Sequence, residues 1–346
     1  MIKPKKLKRG DTIAIVSLSS GMAGDKLFKH RYLQGKKRLE EVFGLKVVTM
    51  PNALKGSDYL NKHPELRAQD FMDALKDKNI KGIICNIGGD DAIRLLPYID
   101  FDIIKNNPKL FMGYSDTTVN HFMMYKAGVT SYYGPAVMTE FAENYEMHAY
   151  TKKYIEEVLF QNLENITIAS SPYWTSEFLD WQNEKYNFQK RKMQIEEHGY
   201  EILQGKGTFE GELLGGCIDV FPIISATKIW PLKEEWKNKI LFLETSEEEL
   251  EPRYLKYYLR NLIAQGIIAE INGLIVGKPQ NEKYYEEYKK IYKTMISEEA
   301  KRPDLPILYN VNIGHTAPIC IFPFGQKILV DLNKKEIIFQ GKPMSE

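Results

Sequence analysis

Apolar residues in the first half of the chain gather into short dense runs, separated by stretches with helical spacing. Thr12–Leu18, Lys46–Met50, Lys81–Ile87 and Leu110–Tyr114 are each of strand length, and Lys81–Ile87 is apolar enough to be covered on both faces. Asp25–Phe43 reads as a helix with Leu27, Tyr32, Leu39 and Phe43 among its apolar positions and Gly44 as its stop. Pro64–Lys78 opens on proline and sets Leu66, Phe71 and Leu75 along one side. Further helices are predicted from about Ala92 and over Asp116–Ala127. Buried strands alternating with helices imply right-handed βαβ units and a parallel sheet, of Rossmann-like or flavodoxin-like type. Ligands of such sheets sit beyond the carboxyl ends of the strands, where Gly88-Gly89-Asp90-Asp91 and Ser115 fall.

The pattern changes in the middle of the chain. Ser171–Trp181 is rich in aromatic residues and runs into a charged stretch through Lys192, which reads as an excursion between domains. Beyond Tyr200 come short strands at 207–214, 239–243 and 273–276 and a helix over 248–265. Gln326–Leu332 and Glu336–Phe339 form a closing hairpin around Asn333-Lys334-Lys335. The expected α/β chain therefore has an N-terminal parallel-sheet domain (1–168), an excursion (169–200) and a β-rich domain (201–346), the last a small barrel or a mixed sheet.

Composition narrows the function classes. The 346 residues suit two domains with a sizeable core. With 47 basic against 46 acidic residues, bulk charge gives no support to nucleic-acid binding. Cys85, Cys217 and Cys320 are scattered in apolar runs with no CxxC pair, as expected of buried free thiols in a reducing compartment. The basic start is followed by a strand-length run instead of a signal-peptide core. No segment approaches the roughly 20 apolar residues of a membrane span. These features predict a cytoplasmic protein. Gly21-Met22-Ala23-Gly24 is no dinucleotide fingerprint, Gly205-Lys206-Gly207-Thr208 lacks the leading glycine of a P-loop, and no HExxH or EF-hand pattern occurs. Neither a metal nor a cofactor is expected.

One hydroxyl stands out. Ser115, in Gly113-Tyr114-Ser115-Asp116, lies at a tight strand-to-helix turn that would project it beside the amides of a helix N-terminus. Thr117 stands where the second glycine of a G-x-S-x-G elbow would be, and a helix-capping role for Ser115 or Asp116 fits the same segment. Of six histidines, His30, His63 and His148 are expected in solvent and His121 within the structure. His315, in a Gly-bounded loop between apolar runs, is the candidate base. Glu244, closing the apolar strand Ile240–Leu243, is a poorly hydrated carboxylate in need of a partner.

With these segments assembled, the chain resembles the LD-carboxypeptidase family of serine peptidases. The resemblance spans nearly the whole length through Gly10-Asp11, Gly88-Gly89-Asp90-Asp91, Gly113-Tyr114-Ser115-Asp116, Gly211–Gly216, Leu243-Glu244-Thr245 and Gly314-His315-Thr316, in that order. It implies Ser115 as nucleophile, His315 as general base, Glu244 as orienting acid, backbone amides near Gly89 and Asp116 as an oxyanion hole, and a homodimer. Of the family's two branches, the chain looks closer to the microcin C immunity branch, which cleaves an amide joining a peptidyl or aminoacyl group to a nucleotide. In that branch Trp174, Phe178 and Trp181 would form a slot for the base, with stacking worth roughly 1–3 kcal/mol; packing of the excursion accounts for the same residues. Cys217 departs from the expected asparagine. Release of terminal D-alanine from muropeptides is the alternative activity, and a catalytically silent ligand-binding protein is the alternative from another class.

Overall fold

The computed structural model describes residues 1–346. Five strands, β1 (Thr12–Val16), β2 (Lys46–Thr49), β3 (Ile80–Cys85), β4 (Leu110–Gly113) and β5 (Ser131–Tyr133), pair in parallel in the order β2-β1-β3-β4-β5. This is the flavodoxin-like doubly wound order, whose switch point lies between β1 and β3. The loops leaving those two strands, Ser17–Gly21 and Asn86–Asp91, therefore part at the place where such sheets form a crevice.

The remaining strands are β6 (Thr167–Ile168), β7 (Tyr173–Trp174), β8 (Gln194–Ile195), β9 (Glu201–Gln204), β10 (Thr208–Cys217), β11 (Lys239–Glu244), β12 (Gly273–Gly277), β13 (Ile307–Val311), β14 (Phe322–Phe324), β15 (Lys327–Asp331) and β16 (Glu336–Phe339). Eight of them make a second sheet in the order β6-β16-β15-β10-β11-β12-β13-β9. Of the barrel and the mixed sheet, the chain adopts the mixed sheet: β10 to β13 run parallel, and their neighbours on either side are antiparallel.

Division by chain position is not division by sheet. β14 leaves the C-terminal half to pair antiparallel with β5, and β6 leaves the N-terminal half to pair with β16. One apolar cluster of 97 buried residues runs through both sheets, so the halves share a core. At its centre the Phe242 ring lies 5.2 Å from that of Tyr133 and 6.0 Å from that of Phe324. The helix Thr118–Lys126 is buried along Thr118–Met124, as an element packed on all sides must be.

Several expected boundaries shift. The first long helix is Lys29–Glu41, and Leu27, counted among its apolar positions, is exposed. The helix predicted over 248–265 starts at Pro252, because proline takes the first position and Glu249 has a φ of +51°. Residues 245–251 consequently form a loop. The excursion is a folded strap in which β7 pairs with β8. Its Thr175 also exchanges backbone hydrogen bonds with Ala317, at 2.8 and 3.1 Å.

Candidate active site

β4 delivers Ser115 from a fully buried strand, through the extended Tyr114, into a φ of +62°. A non-glycine residue there is strained, at a cost on the order of 1 kcal/mol or more, and the turn must be held by its neighbours. Thr118 Oγ1 donates to the Ser115 carbonyl at 2.6 Å. Behind the turn, His121 Nε2 meets the Gly113 carbonyl at 2.9 Å and Nδ1 meets Ser131 Oγ at 2.7 Å. Burial pushes the His121 pKa down to about 4, so it is neutral and serves the backbone, as its sequence position suggested. Gly88 closes over the other side: a Cβ there would stand 2.7 Å from Ser115 Cβ and 2.8 Å from its Oγ.

Glu244 ends β11, opposite Cys217 in the ladder, and is 1% exposed. Its Oε2 accepts from His315 Nδ1 at 2.7 Å, and its Oε1 accepts from the Tyr133 hydroxyl at 2.5 Å. Gly314, at φ +97°, permits the approach, since a Cβ at that position would lie 2.3 Å from Glu244 Oε2. The Ser115 amide donates to the same Tyr133 hydroxyl at 3.2 Å. Tyr114 sets its ring edge-on to His315 at 5.0 Å.

The other imidazole nitrogen is occupied too. His315 Nε2 lies 3.1 Å from Oε2 of Glu247, and no hydrogen bond joins it to Ser115. Burial disfavours the imidazolium, but Glu244, Glu247 and Asp219 outweigh it and push the His315 pKa up to about 9.

Ser115 opens into a cavity of about 460 Å³ at the switch point of the first sheet. Its walls come from the loops after β1, β3 and β4 and from the carboxyl ends of β10 and β11, and they include Gly89, Asp116 and Cys217. The amides of Gly89 and Asp116 have no partner within the protein. Cys217 is buried with its thiol pushed well above the usual range by burial, and its Sγ lies 3.4 Å from Asp219 Oδ2. No three His, Cys, Asp or Glu side chains converge as a metal site would require.

None of the three aromatic residues of the excursion lines this cavity. Trp174 is buried, with Lys278 Nζ 4.3 Å from its ring centre. Trp181 is half-buried beneath the Arg31 guanidinium at 4.5 Å, while Phe178 is exposed and 6.2 Å from Trp181. His30 and His148, expected in solvent, are half-buried and bonded: His30 Nε2 meets the Trp181 carbonyl at 2.8 Å, and His148 pairs with Glu143 at 3.1 Å. Sequence reasoning missed Tyr133, Thr118, Asp219 and Glu247. Only Glu247 carried a local signal, its closeness in the chain to Glu244.

A doubly wound sheet that sets a serine in a strained turn, tied through Tyr133 to a buried Glu–His pair at the end of a second sheet, fits a class of serine hydrolase. Residues 13–134 match the LD-carboxypeptidase N-terminal domain and residues 210–330 the LD-carboxypeptidase C-terminal domain. The chain belongs to the LD-carboxypeptidase family of serine peptidases. It is 27% identical to the microcin C7 self-immunity protein MccF of Escherichia coli, over 95% of this chain and 92% of that one. A probable murein peptide carboxypeptidase of Bacillus subtilis is also 27% identical, over 98% and 94% of the two chains. Among solved structures, a MccF-like protein from Streptococcus pneumoniae in complex with AMP is 38% identical and superposes with a TM-score of 0.88, covering 96% of this chain and 99% of that one.

Proposed function

We propose that this chain is a serine amidase that cleaves the amide joining a peptidyl or aminoacyl group to a nucleotide. The observation that carries the reading is Ser115, held in a strained turn that opens on the cavity and tied through the Tyr133 hydroxyl to the buried Glu244–His315 pair, whose Nε2 meets the cavity-lining Glu247. Its likeness to an AMP-bound MccF-like protein supports a nucleotide leaving group.

Ser115 Oγ attacks the amide carbonyl while His315 Nε2 takes its proton, and Glu244 holds Nδ1–H and stabilises the imidazolium. The oxyanion faces the free amides of Gly89 and Asp116. His315 then protonates the departing amine, and water hydrolyses the acyl-enzyme by the reverse proton path. Before the first step Glu247 must leave Nε2. Of the excursion aromatics, exposed Phe178 and half-buried Trp181 are the ones left to meet a base, whereas Trp174 packs the strap onto the body. The exposed apolar side chains Phe178, Phe188 and Ile195 on the same strap support a homodimer contact. No helix is long and apolar enough to cross a membrane.

The test is turnover of two substrates in parallel, an aminoacyl sulfamoyl adenosine and an L,D-tetrapeptide muropeptide, with Ser115→Ala as control. Serine-dependent cleavage of the adenosine compound alone is the expected result. Cleavage of the muropeptide alone would replace it with the murein activity of the Bacillus subtilis relative.

A further inference from the structure

Six carboxylates line the cavity below Ser115, those of Asp90, Asp91, Asp116, Asp219, Glu247 and Glu248, with no lysine, arginine or histidine among the lining residues. Two of the six meet a positive charge, and for only one of the two is that charge a permanent guanidinium. Asp91 takes Arg67 at 2.6 and 3.0 Å and Arg94 at 3.0 Å. Glu247 meets only His315. Asp219 accepts the Ser246 amide at 2.9 Å and the Cys217 thiol at 3.4 Å, both neutral donors. Asp90 and Glu248 are exposed to the cavity mouth.

Asp116 carries the second, independent sign. It is 1% exposed and lines the cavity; Oδ2 accepts from Ser19 Oγ at 2.6 Å and from the Ala92 amide at 2.8 Å. Its Oδ1 is buried and has no partner. A buried carboxylate oxygen left unmatched is costly in a native protein, and a cationic donor held nearby in the cavity offsets that cost through its charge. Burial pushes the Asp116 carboxyl upward, which a cation beside it would reverse. The donor is not a metal ion, because the acidic groups do not converge on one point.

We infer that the part of the substrate entering this cavity carries a cationic group, an ammonium or guanidinium within side-chain reach of the scissile carbonyl, received by Asp219 and Glu248 and drawn by the buried charge of Asp116 behind them. The inference rests on the amidase reading and names its substrate class: amides of basic aminoacyl or peptidyl groups, with acidic ones turned away. Like charges in a confined site repel the acidic group as strongly as opposite charges draw the basic one.

The experiment compares lysyl, norleucyl and glutamyl sulfamoyl adenosines, which present positive, neutral and negative side chains. For the wild-type protein, kcat/KM for the lysyl compound should exceed that for the norleucyl compound by about 10- to 100-fold, the range of a charge-assisted hydrogen bond, with the glutamyl compound lowest. Glu248→Gln, at an exposed position, and Asp219→Asn should each narrow the gap. Norleucyl or glutamyl turnover equal to or above lysyl would overturn the inference. If no nucleoside is cleaved, the nucleotide reading falls and the inference is read from binding to the Ser115→Ala protein. L-lysinamide held tighter than L-norleucinamide, with the difference reduced in Glu248→Gln, sustains it; equal binding overturns it.

Discussion

Tyr133 of the first sheet donates its hydroxyl to Glu244 at the end of β11, at 2.5 Å, and accepts the Ser115 amide at 3.2 Å. A single phenol thus ties the turn that carries the serine to the carboxylate that steadies the histidine, across the seam between two sheets. Tyr133→Phe keeps the ring and removes both bonds. Glu244 Oε1 would then be buried without a donor, a loss of about 1–3 kcal/mol of stability. Serine-dependent kcat should fall about tenfold with KM little changed, checked by steady-state kinetics beside thermal unfolding.

The strain at Ser115 predicts a separation of stability from activity. Glycine adopts φ +62° without penalty, so Ser115→Gly should be more stable than wild type by about 1 kcal/mol while losing its turnover. Urea unfolding and a turnover assay on the same preparation check both halves.

Glu247 adds to Glu244 in favouring the protonated base. With His315 pushed up to about 9, the free protein holds imidazolium at neutral pH, and kcat/KM should climb with pH until about 9. Glu247→Gln removes one of the charges that stabilise the cation. Its acid limb should move to lower pH by about one unit, a change of about 1.4 kcal/mol in proton affinity. A limb that stays in place would show that Glu247 does not touch the working form of His315.

The same titration leaves a mark on stability. The folded pKa of about 9 lies above the unfolded value of about 6.5, so protonated His315 stabilises the fold fully below pH 6.5. That contribution, at most about 3 kcal/mol, drains away as pH rises from 6.5 through 9. Unfolding at pH 6, 8 and 10 should show the decline in wild type and a flatter profile for His315→Gln.

Ser115, Glu244 and His315 carried local signals as candidates (a serine where a buried strand turns into a helix, a carboxylate ending an apolar strand, a histidine in a glycine-bounded loop), but it was the family resemblance that grouped them. The parallel first sheet followed from alternating strand and helix patterns in the same way, whereas its flavodoxin-like order, as against a Rossmann-like one, is seen only in the structure. What joins these residues was not legible. β4 and β11 lie in different sheets, and Tyr133, which links them, is one of 21 tyrosines with nothing in its neighbourhood to set it apart. Glu247 sits in an acidic run that reads as a solvated surface. Trp174 was a ligand contact only by the resemblance, and it is buried with Lys278 over its ring. The passage of β14 into the first sheet depends on pairing with β5, far away in the chain, and no local pattern encodes it.

That crossing has a mechanical consequence. β14 is stitched to β5, while β13 and β15, which flank it in the chain, belong to the other sheet. The two halves cannot swing apart like jaws without tearing a strand from its ladder. Traffic into and out of the cleft must pass over its rim, where the short loop bearing Glu247 and Glu248 is the part free to yield, and the strand ends that carry Ser115 and Glu244 stay in register through every turnover.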